Sequence, residues 1–301
     1  MNSDHMRNTK NLKPAEIPEI FQLELTNVCN LDCTICPHSL MKRKKGYLRF
    51  DLLKKIVKRD AVNTKIIGLH LLGESLLHPQ INEIVEYLKQ HGINSELATN
   101  ATVLTKSFSE RLIKSGLKTI WFSFDGSAKE EYESIRRGAN FSKVVKNIKT
   151  FLEINKEYGN NVHTIIQMVD LRKSEAEKER FYKFWQKSGA SEVKVKFLDS
   201  WAGTLFNDLI SSPDEKRVPC EEPWKRVAIL YNGDVVPCCR DWNGQYIYGN
   251  LNKQSLAEVW NSDRVASLRK EMLTGRYASE PCKSCKEWFI PMNRMISQKE
   301  D

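Results

Sequence analysis

The sequence predicts an α/β protein: a partial (β/α)6 barrel followed by a small C-terminal domain built from a β-hairpin and helices. Three observations lead there. Between residues 20 and 200, short β-branched runs alternate six times with longer amphipathic stretches, the pattern of βα units around a parallel sheet. Six units are fewer than the eight of a closed barrel, so an open side must be covered by something else, and the C-terminal part is the candidate cover. The eight cysteines also fall into two groups, with none between positions 37 and 219. That segregation assigns two metal or redox sites to two structural units. The boundaries read as an N-terminal extension at 1–19, the barrel at 20–200, a linker at 201–218 and the C-terminal domain at 219–301.

Taken in order, the predicted strands cover 21–26, 66–72, 93–99, 119–124, 163–169 and 193–198. Helical apolar spacing places helices at 51–59, 79–91, 107–114, 141–157 and 174–187, with Gly92, Gly116 and Gly189 as stops. Periodicity fails around Gly203, Ser211, Ser212 and Pro213, as in a linker. Beyond it, 227–231 and 235–238 flank Asn232-Gly233, the dipeptide suited to a tight hairpin turn. Short helices at 255–261 and 264–273 then lead to Pro281 and the last cysteine pair.

Composition narrows the class. Of 301 residues, 41% are hydrophobic and 28% charged; no apolar run approaches the ~18 residues of a membrane span. The polar first thirteen residues lack the apolar core of a signal peptide, which predicts a cytoplasmic protein and no membrane partner. The net charge of +9 comes from 47 basic against 38 acidic residues. It is scattered, and only Lys42-Arg43-Lys44-Lys45 forms a basic run, read as a solvated loop. This argues against nucleic acid as a partner, since no aromatic-basic interleaving accompanies the charge.

In a reducing compartment eight cysteines point to metal or redox chemistry rather than disulfides. Cys29, Cys33 and Cys36 have C-x3-C-x2-C spacing directly after the first strand, on the rim where barrels hold their active sites. Three such thiolates suit an iron-sulfur cluster with one iron left open. A zinc site would need a fourth ligand, for which His38 is the nearby candidate.

At these residues the sequence resembles the radical S-adenosylmethionine superfamily, whose cluster motif is this spacing at this place. Leu72-Gly73-Glu74 is similar to the family's G-G-E stretch, Ala98-Thr99-Asn100 to its third strand end, and Ser123-Phe124-Asp125-Gly126 to its fourth. The resemblance implies a 4Fe-4S cluster that binds S-adenosylmethionine and cleaves it reductively to a 5'-deoxyadenosyl radical, which abstracts hydrogen from the substrate. It also implies that Gly73 and Glu74 meet the methionyl amino group, and that Ser123 and Asp125 contact the carboxylate or ribose. Asn100 belongs to the same cofactor-binding set, and Ile35, where an aromatic residue is common, packs near adenine. Leu72 stands in place of the usual first glycine.

The second cysteine group resembles the SPASM extension or its shorter twitch form. Cys220, Gly233 followed by Pro237-Cys238, and Pro281-Cys282-Lys283-Ser284-Cys285 reproduce its pattern with four ligands, Cys220, Cys238, Cys282 and Cys285. On spacing alone a four-cysteine zinc site fits equally well; the resemblance selects a second 4Fe-4S cluster. Cys239 is left over, and a thiol can donate a hydrogen atom to a carbon radical.

The expectation is therefore an oxidoreductase with two 4Fe-4S clusters and S-adenosylmethionine, reduced by a flavodoxin- or ferredoxin-type partner. Only about twenty residues precede the first strand, too few for a leader-recognition module, so a small polar substrate, sugar- or aminocyclitol-like, is preferred to a peptide. Dehydrogenation through the auxiliary cluster competes with epimerisation of a sugar or peptide residue using Cys239 as donor. The alternative of a different class is an RNA-binding or RNA-modifying protein reading the positive charge.

Overall fold

The computed structural model describes residue 12 and residues 17–205, 217–288 and 295–297. The short β-branched runs become six parallel strands: β1 (Glu19–Leu23), β2 (Ile66–Gly68), β3 (Asn94–Thr99), β4 (Thr119–Ser123), β5 (His163–Asp170) and β6 (Glu192–Phe197). They lie side by side in chain order, each parallel to the next. Parallel neighbours need crossover connections, and helices supply them. These are α1 (Phe50–Arg59), α2 (Ile81–Gln90), α3 (Lys106–Lys114), α4 (Lys129–Ile135), α5 (Phe141–Glu157) and α6 (Glu175–Trp185).

Local chemistry fixes the helix starts. Thr105 accepts from the Phe108 amide, Asn140 from the Lys143 amide, and Ser174 with Glu177 closes a reciprocal capping box. Of these six, only α4 was not anticipated: seven residues are too few to reveal a helical period. The predicted strand at 66–72 ends at Gly68. Beyond it the Ser75 hydroxyl donates to the Leu69 carbonyl at 2.5 Å, and the chain turns through Gly73 at φ +98°.

Alternate residues separate two faces. Phe122 packs edge-on against Phe151 of α5, ring centroids 5.4 Å apart, so its face of β4 meets the helix layer. Trp121 and Ser123 therefore face the lumen.

The C-terminal chain forms α7 (Glu222–Lys225), β7 (Arg226–Ile229), β8 (Asp234–Val236), β9 (Gly249–Asn250), α8 (Leu256–Trp260), α9 (Asp263–Thr274) and β10 (Met295–Ser297). Its hairpin does more than stand beside the barrel. β7 pairs in parallel with β1, while β10 pairs antiparallel with β6, so C-terminal strands lengthen the sheet at both edges of the six-strand array. The result is one ten-stranded sheet, open rather than closed into a barrel.

The basic run at 42–45 is not simply a solvated loop. Arg43 donates from both terminal nitrogens to the fully buried Glu24, at 2.7 and 2.8 Å, and from Nε to the Trp242 carbonyl at 2.8 Å. The local sequence could not show this, because Glu24 and Trp242 lie far away in the chain. Most of the expected linker, 206–216, and nearly all of the expected extension lie outside the described residues.

Candidate functional site

Cys29, Cys33 and Cys36 lie half-buried on the loop that leaves β1, and none forms a disulfide. The loop is held by backbone contacts to the segment after α4: the amides of Asp32 and Thr34 donate to the carbonyls of Arg137 and Ile135 at 3.1 and 2.9 Å. Burial pushes the Cys29 thiol up to about 11 and the Cys36 thiol to about 12, and raises Cys33. The Arg136 guanidinium opposes that rise at all three. Zinc holds thiolates about 2.3 Å from one point; among the described residues no three His, Cys, Asp or Glu side chains converge on a single ion. His38 Nε2 is paired with the Asn27 carbonyl at 2.8 Å.

The residues expected to meet the cofactor gather at the carboxyl ends of β2, β3 and β4, beside this loop. Gly73 touches the chain after β1 so closely that a Cβ would lie 2.5 Å from the Thr26 carbonyl oxygen. Glu74 is buried and accepts from the Asn100 amide at 2.7 Å, the Thr99 hydroxyl at 2.7 Å and the Leu76 amide at 3.1 Å. Asn100 in turn donates to Asn30 of the cysteine loop at 3.0 Å. Asp125 accepts from Arg136 Nε at 2.8 Å and from the Val169 amide at 2.7 Å, both side chains being buried. Ser123 accepts from Gln167 at 3.4 Å. Ile35, half-buried, receives the Trp201 indole N–H at its carbonyl, 3.1 Å away. Glu74 and Asp125 thus brace neighbouring strand ends, whatever else they contact.

Arg136 was not singled out from the sequence. It stands in Ile135-Arg136-Arg137-Gly138, and no spacing rule marks it. Only the fold brings its charge between Asp125 and Cys33.

The second group gathers too. Cys220, Cys238, Cys282 and Cys285 lie near enough for their charges to act on one another, each raised mainly by burial. Cys239 acts on Cys238, while after burial the groups acting on Cys239 itself are Arg240, Asp199, Glu222 and Lys196. Arg240 donates to Asp199 at 3.0 Å, and the Cys285 thiol donates to Glu287 at 3.4 Å. Glu287 also accepts from the Ser200 amide at 2.6 Å. Each thiol set therefore has a buried arginine beside it, Arg136 or Arg240, which suits an anionic iron-sulfide-thiolate group.

One turn touches both sets. After β6, Trp201 reaches Ile35 between Cys33 and Cys36, while Asp199 and Ser200 hold Arg240 and Glu287 beside the second set. Gly203 packs against the Cys282–Cys285 turn, where a Cβ would meet the Ser284 carbonyl at 2.7 Å.

Comparison with known proteins agrees with this arrangement. A family profile described as the radical SAM superfamily matches residues 23–184, and one described as SPASM, an iron-sulfur cluster-binding domain, matches residues 220–286. A tungsten-containing aldehyde ferredoxin oxidoreductase cofactor-modifying protein of Pyrococcus furiosus is 22% identical over 87% of this chain and 86% of its own. An S-adenosyl-L-methionine-dependent 2-deoxy-scyllo-inosamine dehydrogenase of Niallia circulans is 22% identical over 88% and 92%. Among solved structures, BtrN in complex with AdoMet and 2-DOIA superposes with a TM-score of 0.60 at 20% identity, covering 90% of this chain and 94% of that one. Streptococcus suis SuiB bound to its precursor peptide SuiA gives 0.69 at 17%, covering 94% and 72%. Among the described residues no helix is long and apolar enough to cross a membrane.

Proposed function

This chain belongs to the radical SAM superfamily, and from that premise we propose that it dehydrogenates a small polar substrate, sugar- or aminocyclitol-like, at a site between its two thiol sets. It is an enzyme whose cofactors are 4Fe-4S clusters and S-adenosylmethionine. In this reading Cys29, Cys33 and Cys36 hold the cluster that binds S-adenosylmethionine, and Cys220, Cys238, Cys282 and Cys285 hold the auxiliary one. When bound, these groups supply a radical that takes a hydrogen atom from the substrate and an acceptor for the electron that follows.

The chain's own residues do the rest. Arg136 offsets negative charge beside the first thiol set, Gly73 lets the backbone approach where a side chain could not, and Glu74 with Asn100 fixes the loop ends. Arg240 does for the second set what Arg136 does for the first. The observation that supports the reading is the 199–203 turn, which touches both thiol sets; a cluster on the second set would then stand near a substrate bound beside the first. The 2-deoxy-scyllo-inosamine dehydrogenase relative supports the substrate class. A flavodoxin- or ferredoxin-type protein is the reductant in this scheme, and the protein works in the cytoplasm.

The test is anaerobic incubation of reconstituted enzyme with sugars and aminocyclitols, following 5'-deoxyadenosine and product mass. Dehydrogenation gives one 5'-deoxyadenosine per product and a product lighter by two hydrogens. A product of unchanged mass in H2O that takes up a deuterium in D2O would instead mean epimerisation. That second reading is supported by Cys239, the thiol left over once Cys220, Cys238, Cys282 and Cys285 are taken as ligands. Under it, Cys239→Ala still forms 5'-deoxyadenosine but loses deuterium incorporation.

A further inference from the structure

The wall of the barrel holds hydrogen-bond acceptors that the protein itself does not use. Among buried side-chain atoms without a partner are Gln22 Oε1, His70 Nδ1 and Gln167 Oε1. Gln22 and Gln167 are each only 7% exposed. A buried polar atom left unpaired costs free energy, so three together call for an explanation.

Strand register puts Gln22 and Gln167 on the lumen face. Trp121 and Ser123 face the lumen, and across β4 and β5 Ser123 pairs with Gln167. Across β3 and β4 Ala98 pairs with Trp121, so Glu96, two residues earlier, shares that face. Glu96 pairs with Gly68 of β2, and Gly68 with Gln22 of β1. His70 lies two residues past Gly68, beyond the end of β2, and is half-buried. Beyond Gln167 the same face carries Lys194, whose ammonium sits 5.7 Å from the Trp121 ring centroid.

All three orphans are acceptors. A Gln Oε1 can only accept. His70 Nδ1 has no partner, and in a neutral ring it accepts when the other nitrogen carries the proton. Gln167 spends its amide nitrogen on Ser123. A ligand completing this wall must carry several O–H or N–H donors on a compact frame. A polyol amine does so, with one donor per hydroxyl and three on an ammonium, whereas an apolar side chain on a peptide does not.

We propose that Gln22, His70 and Gln167 are the specificity-determining residues of this enzyme, selecting a donor-rich amino-polyol substrate through their three unpartnered acceptors. This rests on the sugar- or aminocyclitol reading above and deepens it.

The test uses the full chain with both clusters and S-adenosylmethionine in place, under anaerobic conditions, titrated calorimetrically with 2-deoxy-scyllo-inosamine, glucosamine and myo-inositol. Gln22→Met and Gln167→Met keep length and volume but remove the acceptor. Each should weaken binding about ten-fold, the loss of roughly one hydrogen bond. A ligand lacking the matching hydroxyl should bind wild type and variant alike. S-adenosylmethionine binding and iron content should not change. Without the polyol, Gln22→Met should melt no lower than wild type, because no protein hydrogen bond to its oxygen is lost, whereas Gln167→Met also gives up the long bond to Ser123. Unchanged polyol affinity in both variants, or a fall of several degrees in the Tm of Gln22→Met without ligand, overturns the proposal and leaves the substrate class standing. If wild type binds none of the polyols, the proposal and the substrate class fall together.

Discussion

Asp125 and Arg136 are both buried and hold each other at 2.8 Å, so removing either strands a charge away from water. Breaking such a pair typically costs about 3–5 kcal/mol, more than the roughly 1.5–3 kcal/mol of one hydrogen bond to a charged group. Asp125→Ala should therefore lower unfolding stability before any effect on cofactor affinity can be read. Arg136→Met should do the same, and the double variant should recover most of the loss. Urea titrations of the four proteins measure this, and additive losses would show that the two side chains act independently. His70 gives a pH signature at the same scale. Burial, aided by Lys196, depresses its imidazole from 6.5 to about 4. The unfolded chain thus takes up a proton near pH 6.5 that the folded chain refuses until about pH 4. Stability conferred by the neutral ring is complete above pH 6.5 and is lost as pH falls through that window, up to roughly 3 kcal/mol. His70→Gln cannot titrate, so its stability curve should be flatter than wild type between pH 7 and 4.5. Parallel curves would mean that the ring reaches water.

The turn at 199–203 is the element on which both thiol sets depend. Gly203 has φ +82° and sits against the Ser284 carbonyl, so Gly203→Ala is strained in its backbone and also clashes. The clash falls on the Cys282–Cys285 turn and leaves the loop after β1 untouched. Iron should fall from about eight per reconstituted chain to about four, with S-adenosylmethionine cleavage retained and product formation lost. Loss of all the iron would show that the two sites fold as one. Sequence periodicity could not have picked out this turn. It shows as a break after β6 and reads as the start of a linker, because Asp199, Ser200 and Trp201 take their partners from remote segments. The six barrel strands were legible for the opposite reason, since each announces itself in a short run of its own residues. The C-x3-C-x2-C loop was legible because its ligands are neighbours in sequence. Arg136 and Arg240, which place positive charge beside the thiols, act through space and carry no local mark.

At the scale of the molecule, the sheet's edges explain why the C-terminal third belongs with the barrel. The sequence marks a hairpin around Asn232-Gly233, but nothing local says that its first strand joins β1, some two hundred positions earlier. Glu19, Ile20, Gln22 and Leu23 pair with Arg226, Val227, Ala228 and Ile229, and Ile20, Leu23 and Ile229 are all fully buried. Polar clamps reinforce the join. Glu24 accepts from Arg43 and from the Tyr231 amide. Arg59 donates to the carbonyls of Leu251 and Gln254, while Asp60 accepts from the Leu256 amide. Removing residues 219–301 would therefore uncover the β1 edge, expose its apolar side chains and free the β6 edge that β10 occupies. Unpaired hydrophobic edges template association with other chains, so the truncated barrel should aggregate even with its first cluster reconstituted. Light scattering and size-exclusion chromatography measure that outcome. A milder variant separates edge exposure from general misfolding: Arg43→Leu breaks one clamp, leaves Glu24 buried without its cation, and should cost about 3–5 kcal/mol while the protein stays monomeric. A soluble, monomeric truncation that still cleaves S-adenosylmethionine would mean that the six-strand array closes its own edges.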